Sequence, residues 1–120
     1  MKRIISIFAL VITFALQAQT AKVTSETFDV NGFINENTTS LVKQFNLDKE
    51  QAGALKKWND VTGHAIQKQL VVAEMDGKTA FSQEEIATIT ARVKENMNYN
   101  DKLKTIFSKK QFKKYLKAQK

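Results

Sequence analysis

Three segments of this chain repeat one local pattern that belongs to helix starts. Leu47-Asp48-Lys49-Glu50-Gln51, Phe81-Ser82-Gln83-Glu84-Glu85 and Phe107-Ser108-Lys109-Lys110-Gln111 each pass from an apolar residue through Asp or Ser to Gln or Glu three positions later. In such a capping box the Asp or Ser oxygen accepts from the third backbone N–H of the helix. The Gln or Glu reaches back to the N–H of the cap, so two donors orphaned by the helix start are satisfied together. Phe81 with Ile86, and Phe107 with Phe112, add the apolar staple that fixes the entry angle, and Leu47 with Ala52 is a weaker version. Helices are therefore expected to begin just after Asp48, Ser82 and Ser108.

The spacing between these starts sets the architecture. Leu55, Trp58, Val61, Ala65, Ile66, Leu70 and Ala73 recur at three- and four-residue steps, which predicts a long amphipathic helix over 49–75. Asp76-Gly77 ends it, because glycine takes the left-handed conformation of a helix C-terminus without strain. Gly53 and Gly63 each weaken that helix by up to about 1 kcal/mol and permit close backbone approach or a bend. Lys78 to Ala80 is too short for anything but an antiparallel return. Ile86, Ile89, Val93, Met97, Leu103 and Ile106 mark the inner side of that return over 83–104, with a kink or fraying expected around Asn96, Asn98 and Asn100. Phe112, Tyr115 and Leu116 give a last short helix its apolar face. Ahead of the first box, Ile34, Leu41, Val42 and Phe45 predict a short helix over 34–46. No proline interrupts any of this, and no strand alternation is sustained. The fold class expected is all-α, a long antiparallel helical hairpin with short flanking helices.

The N-terminus reads differently. Lys2 and Arg3 precede an apolar run from Ile4 to Leu16 and a small-residue exit at Ala18, the form of a secretory signal peptide over 1–18. The thirteen residues of that run fall short of the ~20 that cross a bilayer. Export to the periplasm, or secretion, is the expected localisation. Residues 19–35 carry no sustained period and read as a flexible lead-in, in which Phe28, Val30, Phe33 and Ile34 are the residues suited to docking. The helical domain is placed at 36–120. The 120 residues make one domain, and cysteine is absent, which excludes disulfides, thiolate metal sites and lipid attachment at an N-terminal cysteine.

Charge is concentrated at one end. Residues 101–120 hold eight lysines against Asp101, a local +7 on a chain whose total is +7 with Lys2 and Arg3 included. Such an end suits an acidic partner or an anionic lipid surface, or serves as a solvated face. Lys109, Lys110, Lys113, Lys114, Tyr115 and Lys117 are the candidate contacts for a polypeptide client or for lipid. Export and the lack of a recognition fold argue against nucleic acid.

The two Gln-bearing boxes, Leu47-Asp48 to Gln51 and Phe107-Ser108 to Gln111, resemble the L-T-x-x-Q motif of the Spy/CpxP family of small periplasmic helical proteins. The resemblance covers about residues 38–118, with Asp48 and Ser108 in place of Thr and Phe107 in place of Leu. It implies an ATP-independent chaperone-like or envelope-stress protein that holds unfolded clients, or one envelope partner, on the apolar and basic concave face of a homodimer. It implies no cofactor.

No sequence pattern supports catalysis. His64 is the single histidine, and with Asp60 one turn before it makes a surface pair rather than a metal site. Glu84 and Glu85 are adjacent at a helix start and serve capping rather than acid–base chemistry. Hydrolase, phosphate-binding and zinc-protease motifs are absent, so the expectation is a non-enzyme without metal or nucleotide.

Overall fold

A computed structural model describes residues 22–119; the leader expected at 1–18 lies outside them. Five helices follow in order: α1 (Val30–Phe45), α2 (Lys49–Met75), α3 (Gln83–Asn96), α4 (Tyr99–Ile106) and α5 (Lys109–Gln119). The fold is all-α, and the described residues contain a single antiparallel bridge, Val23 with Phe81, in place of any strand. At 1.5 Å per residue the 27 residues of α2 extend about 40 Å, most of the molecule's 45 Å length, so α2 is the spine.

The boxes close as the sequence predicts. Gln51 N–H donates to Asp48 Oδ1 (2.7 Å) while Asp48 N–H donates to Gln51 Oε1 (3.0 Å). Ser82 with Glu85 repeats the pair at 3.1 and 2.9 Å, and Ser108 with Gln111 at 3.2 and 2.8 Å. The stops follow equally local rules. Gly77, at φ 108°, lets its own N–H reach Glu74 O and that of Lys78 reach Ala73 O, both at 3.0 Å, which satisfies the last carbonyls of α2. Asn46 and Asn98 take left-handed conformations (φ 54° each), ending α1 and separating α3 from α4. The return expected as one helix over 83–104 is thus two, broken in the asparagine-rich stretch.

α1 begins four residues before the predicted Ile34. Asp29 caps it by accepting from Gly32 N–H (2.8 Å), a start without a box because Gly32 has no side chain to return the bond. The lead-in expected to be flexible is held in place from Val23 onward. Val23 and Phe81 exchange two backbone hydrogen bonds (2.9 and 2.7 Å), Ser25 donates its N–H and hydroxyl to the Glu74 carboxylate, and Gln67 Nε2 donates to Ser25 O (2.9 Å).

α1 and the α3–α4 return each run antiparallel to α2. Gly63 is where α1 comes close: a Cβ there would sit 3.2 Å from both Phe33 Cδ1 and Val30 Cγ1, whereas Gly53 has open space around it. Burial of Leu55, Ile66, Leu70 and Leu103, all at 0% exposure, contributes about 1.5–3 kcal/mol each. Two polar residues share that fully buried layer. Asn59 donates to Thr38 Oγ1 (3.0 Å) and accepts from the Tyr99 hydroxyl, tying α1, α2 and α4 in one register.

Candidate functional site

The two corners that resemble one another in sequence meet in space. The corner between α1 and α2 and the corner between α4 and α5 lie at the same end of the spine, and their glutamines interlock. Gln51 Nε2 donates to Ile106 O (3.0 Å) and to Gln111 Oε1 (2.7 Å). Gln111 Nε2 donates to Phe45 O and Asn46 O, both at 3.3 Å, and approaches Gln51 Oε1 at 3.4 Å. Each amide oxygen therefore caps its own helix, while each NH2 satisfies carbonyls where the helix before the other corner ends. Only an amide can do both, since a carboxylate has no donor. At the third box Glu85 instead takes the Lys78 ammonium, and that contact, with the Ser82 N–H second, draws its carboxyl down to about 2.

Behind the glutamines, Phe45, Phe107 and Tyr115 form a triangle with ring centroids 5.8 Å apart on every side. Leu47, Leu55, Tyr99 and Leu103 complete the cluster. Tyr115, which the sequence offers as a client or lipid contact, is a core residue: it is buried and its hydroxyl donates to Asn100 Oδ1 (2.8 Å). Burial raises the hydroxyl pKa of both Tyr99 and Tyr115.

The lysines expected alongside Tyr115 divide into two groups. Lys109, Lys110 and Lys113 line a shallow groove whose floor is Phe107, Phe112 and Leu116 and whose far bank is Lys104 of α4. Lys114 and Lys117 are exposed on α5 outside that groove. No carboxylate lines it, and none of these lysines forms an ion pair among the described residues.

A second surface runs along the spine. Val61, Val71, Val72 and Met75 are 52, 41, 44 and 81% exposed, although Val61 belongs to the stripe that the sequence assigns to the core and Met75 lies at its end. Next to them, Ala65 and Val72 of α2 face Ile89 and Met97 of α3 across a groove edged by Arg92 and Asp76. Here the sequence overstates the width of the inner face. Asn59 and Thr62 are buried instead, and they occupy the three- and four-residue steps between Leu55 and Ile66, a register that marks them once polarity is set aside.

The remaining sequence candidate, His64 with Asp60, lies on α2. His64 Nδ1 lies 2.8 Å from Asp60 O and 3.2 Å from the Asp60 carboxylate, on an exposed face. Among the described residues no group of three or more His, Cys, Asp or Glu converges as metal ligands, and no helix is long and apolar enough to cross a membrane. Lys94, which the sequence does not single out, sits over the Tyr99 ring (4.7 Å) and near that of Phe33 (5.9 Å), and burial lowers its pKa.

Residues 18–115 match the model of a family described as a domain of unknown function, DUF4890, and the chain belongs to that family. Comparison with curated proteins and with solved structures gives no match.

Proposed function

We propose that this member of the DUF4890 family is an exported, ATP-independent chaperone-like protein that holds unfolded or partly folded polypeptides without chemical turnover. The observation that carries this reading is the set of exposed apolar residues on α2, Val61, Val71, Val72 and Met75, of which Val72 also lines the groove with Ile89 and Met97. Isolated apolar side chains on a surface need no explanation, but Val71, Val72 and Met75 gather at one end of α2, and Val72 continues into a groove of mixed polar and apolar lining, which suits a binding role. Unbranched methionine adapts to many partners, while valine supplies apolar area. The resemblance to the Spy/CpxP family supports the same function, because both glutamines of its motif are present and occupy equivalent roles at the two corners. On this reading a second copy of the chain pairs with the first to build a concave face, and lysine charge hastens encounter with clients.

Light scattering from an aggregating client protein tests the reading. Suppression at stoichiometric amounts is expected, and Val72→Glu with Met75→Glu should weaken it while leaving the helical content unchanged, since both side chains are already exposed. Absence of suppression by the unmodified protein overturns it. Retention of one stable partner from an envelope extract, without suppression, would favour a structural or regulatory envelope protein instead.

A further inference from the structure

The α4–α5 groove is distinct from the apolar face of α2, and the geometry points to an anionic lipid surface as its partner, with α5 lying parallel to the bilayer plane. Phe112 and Leu116 are one turn apart and share a side of α5, and Leu116 is 42% exposed. Lys109 and Lys113, also one turn apart, border that apolar line on the same helix, and Lys104 borders it from α4. An interfacial helix has this arrangement, with a narrow apolar line at the acyl boundary and lysines on both flanks at the level of the phosphates.

The spread of charge favours a surface over a bound peptide. Lys102, Lys104, Lys109, Lys110, Lys113, Lys114 and Lys117 lie on these two short helices against Asp101, and none is in an ion pair among the described residues. A peptide seated in the groove would meet only the lysines that line it. A planar anionic surface lies within a Debye length of several more, about 8–10 Å at physiological ionic strength. The turn of α5 also ranks the lysines: Lys109 and Lys113 adjoin Phe112 and Leu116, whereas Lys114 lies on the side of the helix away from them.

Co-sedimentation of the full helical protein with phosphatidylglycerol/phosphatidylcholine vesicles, and with phosphatidylcholine alone, tests this. Binding to the mixed vesicles only is expected. Lys109→Glu with Lys113→Glu should lower the affinity about tenfold or more, while Lys114→Glu with Lys117→Glu, which changes net charge equally, should lower it less than about threefold. Glutamate at position 109 favours the helix dipole, so the first pair remains folded, and a circular dichroism melt of each variant verifies this. Leu116→Ser should leave binding that is wholly lost in raised salt. Equal losses from the two lysine pairs, equal binding to neutral vesicles, or capture of polyglutamate in preference to the mixed vesicles would each overturn the assignment. Client suppression by Leu116→Ser, which keeps every lysine, reports separately on the α2 face.

Discussion

The two interlocked corners make the same hydrogen bonds from different materials. At the first, Asp48 caps α2 with a full negative charge, Glu50 adds a second, and a left-handed Asn46 turns the chain, so the start of α2 is favoured by its own residues. At the second, neutral Ser108 caps α5, Lys109 and Lys110 stand where the dipole disfavours cations, and Phe107 makes the turn in extended conformation. What the second corner lacks locally it gains from tertiary contact. Gln51 satisfies the Ile106 carbonyl just before it, and Phe107 packs on Phe45 and Tyr115. Both corners take contacts from each other, since Gln111 satisfies the Phe45 and Asn46 carbonyls in return, so what sets the second apart is the weaker local charge at its helix start.

Removing the apolar residue ahead of each cap probes this difference most strongly. Phe107→Ala should cost about 3–5 kcal/mol in urea unfolding, and Leu47→Ala should fall at the lower end of the 2–5 kcal/mol typical of such truncations. Equal losses would break the claim that the second corner rests more on packing. An effect confined to acid should then separate the neutral Ser108–Gln111 box from the third box. The Glu85 carboxyl is depressed from 4.5 to about 2, so its stabilisation is complete above about 4.5 and disappears as the pH falls towards 2. Glu74 shifts in the same direction because the Ser25 hydroxyl, and then its N–H, donate to it. Amide protection at the start of α3 should fall through that window, while that at the start of α5, whose box of Ser108 and Gln111 is uncharged, should not. Glu85→Gln should remove that dependence at the start of α3, and an unchanged local profile in that variant would refute the assignment. The smallest effect expected is electrostatic: Lys109→Glu should stabilise by about 0.3–1 kcal/mol at low salt, and Glu50→Lys should destabilise by a similar amount.

Most of the fold was legible because its punctuation is local. Asp48, Ser82 and Ser108 with their partners mark three helix starts, and Gly77 marks a stop, from a few adjacent residues each. The start of α1 escaped since Asp29 caps it without a reciprocating side chain. The lead-in escaped for another reason: Val23 and Ser25 are held by Phe81 and Glu74, 58 and 49 residues away, which no local window contains. The candidate surfaces were half legible. Lysine clustering pointed to α5, yet whether Tyr115 faces outward depends on Phe45 of α1, 70 residues away. Likewise Val61 and Asn59 exchange their expected places because α2 packs on two sides at once, and buried Asn59 finds partners in both Thr38 and Tyr99. The pairing of Gln51 with Gln111 had one sequence signal, the choice of glutamine over glutamate at both sites, but that signal names no partner.

That the two corners act as a single fastening is tested most directly by a double-mutant cycle on Gln51→Ala and Gln111→Ala, read from urea unfolding. Each single change should cost about 1–3 kcal/mol, because capping and carbonyl satisfaction are lost together. The double variant should lose less than their sum, with a coupling of at least about 0.5 kcal/mol. Strict additivity would contradict the account, showing two independent helix caps that merely lie near each other.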